Sequence, residues 1–203
     1  VTFFNQRLFW GGSNTDPQKI WGSEVGSFES MNQGSAGADN SVEFTLVANQ
    51  VNAIQWLAES TDMLCGTLGG EFTITGGGDS NITPTNIKAV RQAGFGSNKV
   101  APLNVGNLLL FNQRAGRKVR ELVFSFDVDG YLAPDITLLA EHVSASGIVD
   151  MAYQQEEDTI VWACTADGVL IGCTYLRDQN VIAWHQHPVG GDLPVVESVA
   201  VIP

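Results

Sequence analysis

The residues of this sequence best placed for chemistry are His185 and His187, one position apart in an apolar stretch. On a strand, successive side chains alternate between faces, so both imidazoles would share one side. Imidazole nitrogens bind zinc and related ions, with Cys164, Cys173 and His142 as further ligands if the fold brings them near. The plainer reading is two half-exposed histidines at a strand end, closed by Pro188. The acids Glu156, Glu157 and Asp158 could serve proton transfer, but catalytic carboxylate pairs need a fixed separation across a cleft. Three in a row between apolar runs read as a solvated turn. Asp127-Val128-Asp129-Gly130 begins like a calcium loop but lacks its later oxygens and closing Glu, so a β-turn is expected. Walker-type loops, GxSxG, HExxH and CxxC are absent. The sequence assigns no catalytic residue, metal or cofactor, and the chain is expected not to be an enzyme.

Charge limits the partners. Twenty-two acidic residues against ten basic give a net charge of −12 over 203 residues. Phosphate binding needs clustered Lys and Arg, so tight nucleic-acid binding is not expected. No apolar run approaches the roughly 20 residues of a membrane helix, and none is expected to enter a membrane. Four of the ten basic residues, Arg114, Arg117, Lys118 and Arg120, fall together in what reads as a turn. They either keep a sheet edge soluble or meet an acidic neighbour. Three cysteines cannot make a disulfide framework. With Asp167-Gly168 as a two-residue hairpin turn, Cys164 and Cys173 would share a face diagonally at roughly 7–8 Å, beyond comfortable bridging distance.

The aromatics point toward the elements that must hold these residues. Trp10, Trp21, Trp56, Trp162 and Trp184 lie in or beside strand-like runs, as rings filling the space between stacked sheets would. An exposed sugar-binding platform would use the same residue type. Glycine arrives in clusters, Gly11-Gly12, Gly69-Gly70, Gly76-Gly77-Gly78 and Gly190-Gly191, with short apolar runs between them. Many short runs separated by Gly and Asp turns indicate an all-β fold. Only 86–93 and 136–142 could be read as helical turns.

A repeat refines this. Phe4-Asn5-Gln6-Arg7 recurs as Phe111-Asn112-Gln113-Arg114, and Trp10, Cys65, Phe111 and Ala163 occupy comparable runs at spacings of 55, 46 and 52 residues. Propeller blades repeat at roughly 40–50 residues. The expected architecture is a single β-propeller-like domain of four to five antiparallel blades, approximately 1–48, 49–97, 98–146 and 147–195. Residues 196–203 would start or close a further blade. An irregular β-sandwich with a chance tetrapeptide repeat is the alternative. Strand-like runs at both ends suggest an excerpt of a longer chain.

Two stretches carry a family resemblance. The opening Phe3-Phe4-Asn5-Gln6-Arg7-Leu8-Phe9-Trp10-Gly11-Gly12, with Pro17-Gln18-Lys19-Ile20-Trp21-Gly22-Ser23, resembles a structural family of phages and prophages. The closing Asp150-Met151-Ala152-Tyr153-Gln154-Gln155, Asp167-Gly168-Val169-Leu170, Ala183-Trp184-His185 and Val196-Glu197-Ser198-Val199-Ala200 resemble the same family. The resemblance implies a nozzle or tubular tail protein of short-tailed phages: a non-enzymatic scaffold in a ring around the DNA channel. It would form homo-oligomers, meet adaptor and fibre proteins, and reside in the virion tail after synthesis in a bacterial cytoplasm. An acidic wall there would repel DNA. The alternative role is a carbohydrate- or receptor-binding propeller of a phage tail.

Overall fold

A computed structural model describes residues 1–34, 37–48, 52–77, 81–191 and 195–202. Gly78, of the third glycine cluster, lies outside the described residues. The described chain is all-β: sixteen strands in four four-stranded antiparallel sheets, with only two single 3₁₀ turns, at Leu138–Ala140 and Arg177–Gln179. The first sheet holds β1 (Thr2–Phe4), β2 (Arg7–Gly11), β3 (Lys19–Gly22) and β4 (Val42–Thr45). The second holds β5 (Ile54–Glu59), β6 (Met63–Thr67), β7 (Gly70–Thr75) and β8 (Lys88–Ala93). The third holds β9 (Leu103–Val105), β10 (Leu108–Asn112), β11 (Val119–Ser125) and β12 (Gly130–Leu132). The fourth holds β13 (Ile148–Gln154), β14 (Ile160–Thr165), β15 (Leu170–Leu176) and β16 (Val181–His187). Each sheet is an open meander in which strands consecutive in sequence pair.

The chain divides into two compact units, Val1–Ser97 and Asn98–Pro203. Each carries its own core. In the first, Phe9, Ile20 and Val42 pack with Leu57, Met63, Cys65, Phe72 and Ile74. In the second, Leu108, Leu110 and Val119 pack with Met151, Val161, Ala163, Ile171, Cys173 and Tyr175. The alternation along β14 shows why these residues make strands: Val161 and Ala163 face the core, while Ile160, Trp162 and Cys164 face the other way.

Several expectations are corrected. The residues chosen for their spacing, Trp10, Cys65, Phe111 and Ala163, do fall on the second strand of each sheet, but the tetrapeptide marks no repeat. Asn5-Gln6 forms the left-handed turn between β1 and β2, whereas Asn112 ends β10 and Gln113 begins the next turn. The stretch 86–93, which could be read as a helical turn, instead holds the edge strand β8. Residues 196–202 form no strand: the Val196 amide goes to the Gly168 carbonyl and the Val199 amide to the Asp150 carboxylate rather than to a neighbouring ladder.

The hairpin at Asp167-Gly168 is real, but its register differs by one residue. Gly168 takes a φ of +82°, its amide donates to the Thr165 carbonyl at 2.9 Å, and Thr165 closes onto Val169 at 3.1 Å. The loop therefore has three residues, a turn followed by a left-handed glycine. Cys164 pairs with Leu170 and Cys173 with Val161. One residue of slip reverses the facing of every side chain, so the two cysteines lie on opposite faces. All three cysteines are free and buried.

Candidate functional site

The face of the fourth sheet turned away from its core gathers Gln154 on β13, Trp162 on β14, Thr174 on β15, and His185 and His187 on β16. The register places them so: Trp162 lies opposite Gly172, and Gly172 opposite His185. Gly172 leaves room for the imidazole, because a Cβ there would stand 2.4 Å from His185 Cε1. His185 Nδ1 and His187 Nε2 share a hydrogen bond of 2.6 Å, and His185 Nε2 lies 3.2 Å from Thr174 Oγ1. Burial, and then the neighbouring His187, lower the His185 pKa from its ordinary value. Trp162 meets the His187 ring edge-on at 4.8 Å and donates its Nε1–H to Gln154 Oε1 at 2.8 Å.

Residues 196–202 cross this face without a turn. The Val196 amide donates to the Gly168 carbonyl at 2.9 Å, the Cys164 thiol to the Glu197 carbonyl at 3.5 Å, and the Val199 amide to Asp150 Oδ2 at 3.1 Å. Between this segment and Gln154, Glu156, Trp162 and Leu170 opens a groove of about 640 Å³. Among the described residues, the amides of Ser198, Ala200 and Val201 have no hydrogen-bond partner.

The structure brings the two histidines together but leaves the other expected ligands apart. Cys173 faces the core, and Cys164 lies under the crossing segment. Among the described residues, no group of three or more His, Cys, Asp or Glu is placed to hold a metal ion. Glu156, Glu157 and Asp158 are exposed between β13 and β14. Asp127 and Asp129 lie in the turn joining β11 to β12, where Asp129 adopts a φ of +47°.

In the basic cluster, Lys118 forms ion pairs with Asp135 at 2.9 Å and Glu141 at 2.8 Å. Arg120 donates to Gln113 Oε1 at 2.8 Å and to the Ala133 carbonyl at 2.5 Å. Arg114 and Arg117 stand at the surface of the turn. Of the tryptophans, Trp56 is buried in the second sheet, and Trp184 packs on the second unit's core with its Nε1–H donated to the Ile136 carbonyl at 2.8 Å. Trp10 and Trp21 are cross-strand neighbours, half-buried, with Lys19 Nζ 5.6 Å from the Trp21 ring.

Sequence reasoning missed Glu121. It is buried on β11 beside the second unit's core, accepts a hydrogen bond from the Tyr175 hydroxyl at 2.7 Å and pairs with Arg177. The available signal was an acid set between apolar residues, Val119 and Val123, at core-facing positions of the same strand.

No family model matches the chain, and no curated protein matches it. Among solved structures it is similar to one described as a luciferin-regenerating enzyme, at 12% identity and a TM-score of 0.45, over 97% of this chain and 76% of that one. That likeness transfers neither activity nor site residues. The expectations of a phage-tail scaffold and of a chain that is not an enzyme are set aside, because the comparisons give them no support. The matching structure is described as an enzyme, and its description says nothing of phage tails. The motif residues also have local structural explanations. Arg7 is fully buried, donating to the carbonyls of Ser23 at 2.5 Å, Ala38 at 2.6 Å and Asn40 at 2.7 Å, and Asn5-Gln6 makes a hairpin turn.

Proposed function

We propose that the chain is a β-propeller-like module that binds an extended peptide along residues 196–202. The propeller reading is supported by four consecutive four-stranded meanders with their second strands at near-blade spacing. The binding reading is carried by one observation: an unturned segment with unpartnered amides at Ser198, Ala200 and Val201 borders a groove floored by Trp162 and Leu170. A peptide added beside such a segment gains main-chain hydrogen bonds, and its alternate side chains find apolar ground on the indole. Glu156 lines the groove and Glu197 lies on the segment, which favours a peptide carrying Lys or Arg among apolar residues. An array of eight-residue peptides checks this. Apolar-basic sequences should bind the wild-type chain and lose binding with Trp162→Ala, whereas an array without hits, or one indifferent to that substitution, would refute it.

A further inference from the structure

We propose that His185 and His187 form a two-nitrogen site for a borderline divalent metal ion, with copper(II) bound most tightly. The site is separate from the peptide groove's main-chain donors and stands or falls independently of them. Its basis is convergence: on the edge strand β16, positions two apart place both rings on one face, with Nδ1 of His185 and Nε2 of His187 only 2.6 Å from each other. Two neutral rings at that separation share one N–H between two lone pairs aimed at nearly the same point.

An ion can replace that shared hydrogen with little rearrangement. Metal–imidazole bonds run to about 2.0–2.1 Å, so two nitrogens at a right angle about the ion stand about 2.9 Å apart. The rings need separate by only a few tenths of an ångström. The shared hydrogen is not lost, because each imidazole carries it instead on its other nitrogen. For His185 that nitrogen is Nε2, which faces Thr174 Oγ1 at 3.2 Å and would donate to it. Such an outer hydrogen bond fixes the tautomer and ring orientation of a metal-bound histidine. Gly172 supplies the space in which the His185 ring lies, and both rings remain half-buried rather than sealed.

The donor set decides the class of ion. Imidazole suits copper, nickel and zinc, while calcium and magnesium take oxygen ligands, and affinity within the first row peaks at copper(II). The remaining coordination positions face solvent and take water. A net charge of −12 favours any cation's approach.

The test is titration of the full chain with CuCl₂ at neutral pH, followed by electron paramagnetic resonance and tryptophan fluorescence. The first equivalent should show coupling to two nitrogens and quench Trp162, whose ring lies 4.8 Å from His187. His185→Gln and His187→Gln should each weaken binding on the order of 100-fold, the loss expected when a two-point attachment becomes one-point. Thr174→Val should weaken it about tenfold, and His142→Gln should leave it unchanged. Trp162→Phe should abolish most quenching but keep the resonance signal. Wild-type affinity in both histidine variants, with circular dichroism unchanged, would overturn the site. If those variants misfold, the wild-type spectrum decides: fewer than two nitrogens in the first equivalent overturns it.

Discussion

Glu121 shows how one side chain can constrain a whole unit. A carboxylate removed from water is tolerated only with partners that replace its hydration. Here they are the Tyr175 hydroxyl at 2.7 Å and the Arg177 guanidinium. Burial pushes the Tyr175 pKa up to about 12, so the hydroxyl stays protonated and donates. Tyr175→Phe keeps the ring but leaves the carboxylate one donor short. The expected loss is about 1–3 kcal/mol, the usual cost of a buried polar group left unsatisfied. Urea denaturation of the variant measures it. The paired change Tyr175→Phe with Glu121→Gln should lose less than the sum of the single changes, because the neutral amide needs less compensation. Additive losses would show that the hydroxyl and carboxylate act separately.

Hairpins and turns position what the sheets display. Gly168, at φ +82°, closes the β14–β15 loop, and a Cβ there would stand 2.6 Å from the Val195 side chain. Gly168→Ala should therefore cost about 1–2 kcal/mol and also dislodge residues 196–202 from the groove, since the Val196 amide is held by the Gly168 carbonyl. Faster amide exchange at Val199 would report that release; unchanged exchange would contradict it. In the third sheet, burial alone would raise the Asp135 carboxyl, but hydrogen bonds from Thr137 and Lys118 outweigh it and hold the pKa below the ordinary value of 3.8. A depressed folded value gives stabilisation that is complete above the unfolded pKa and lost as pH falls through the folded one. Thr137→Val should move that loss to higher pH, visible in melting temperatures recorded from about pH 6 down to about pH 2. These elements also mark how far the sequence could be read. Apolar runs between glycines disclosed β2, β6, β10 and β14, because central strands contrast sharply with their turns. Edge strand β8 was hidden, as its exposed residues carry almost no burial contrast. Asp167-Gly168 announced a hairpin but not its loop length, and one residue there decides which face each cysteine takes. His185 and His187 were legible as a pair from spacing alone. The groove beside Trp162 was not, because residues 196–202 look like a strand until their amides are seen to lack a ladder.

At the scale of the molecule, the two units are self-sufficient in the interaction that dominates folding. Burial of apolar surface is the main favourable term, and no residue of the core around Phe9, Ile20 and Met63 lies beyond Ser97, while none of the core around Leu110, Val161 and Tyr175 precedes Asn98. The polar interactions described above respect the same division: Arg7 holds carbonyls between Ser23 and Asn40, and Glu121 is held by Tyr175 and Arg177. Every named strand pairing also falls within one unit. Chains of roughly 100 residues bury enough surface to fold alone, and meanders of neighbouring strands keep loop-closure entropy small. Residues 98–203 expressed separately should therefore give a cooperative thermal transition and the β-sheet circular dichroism of the parent. They should also keep the copper(II) site, since both histidines, Thr174 and Gly172 lie inside that piece. A fragment that melts without cooperativity would show that the second core, although complete in its residues, depends on the first unit for stability.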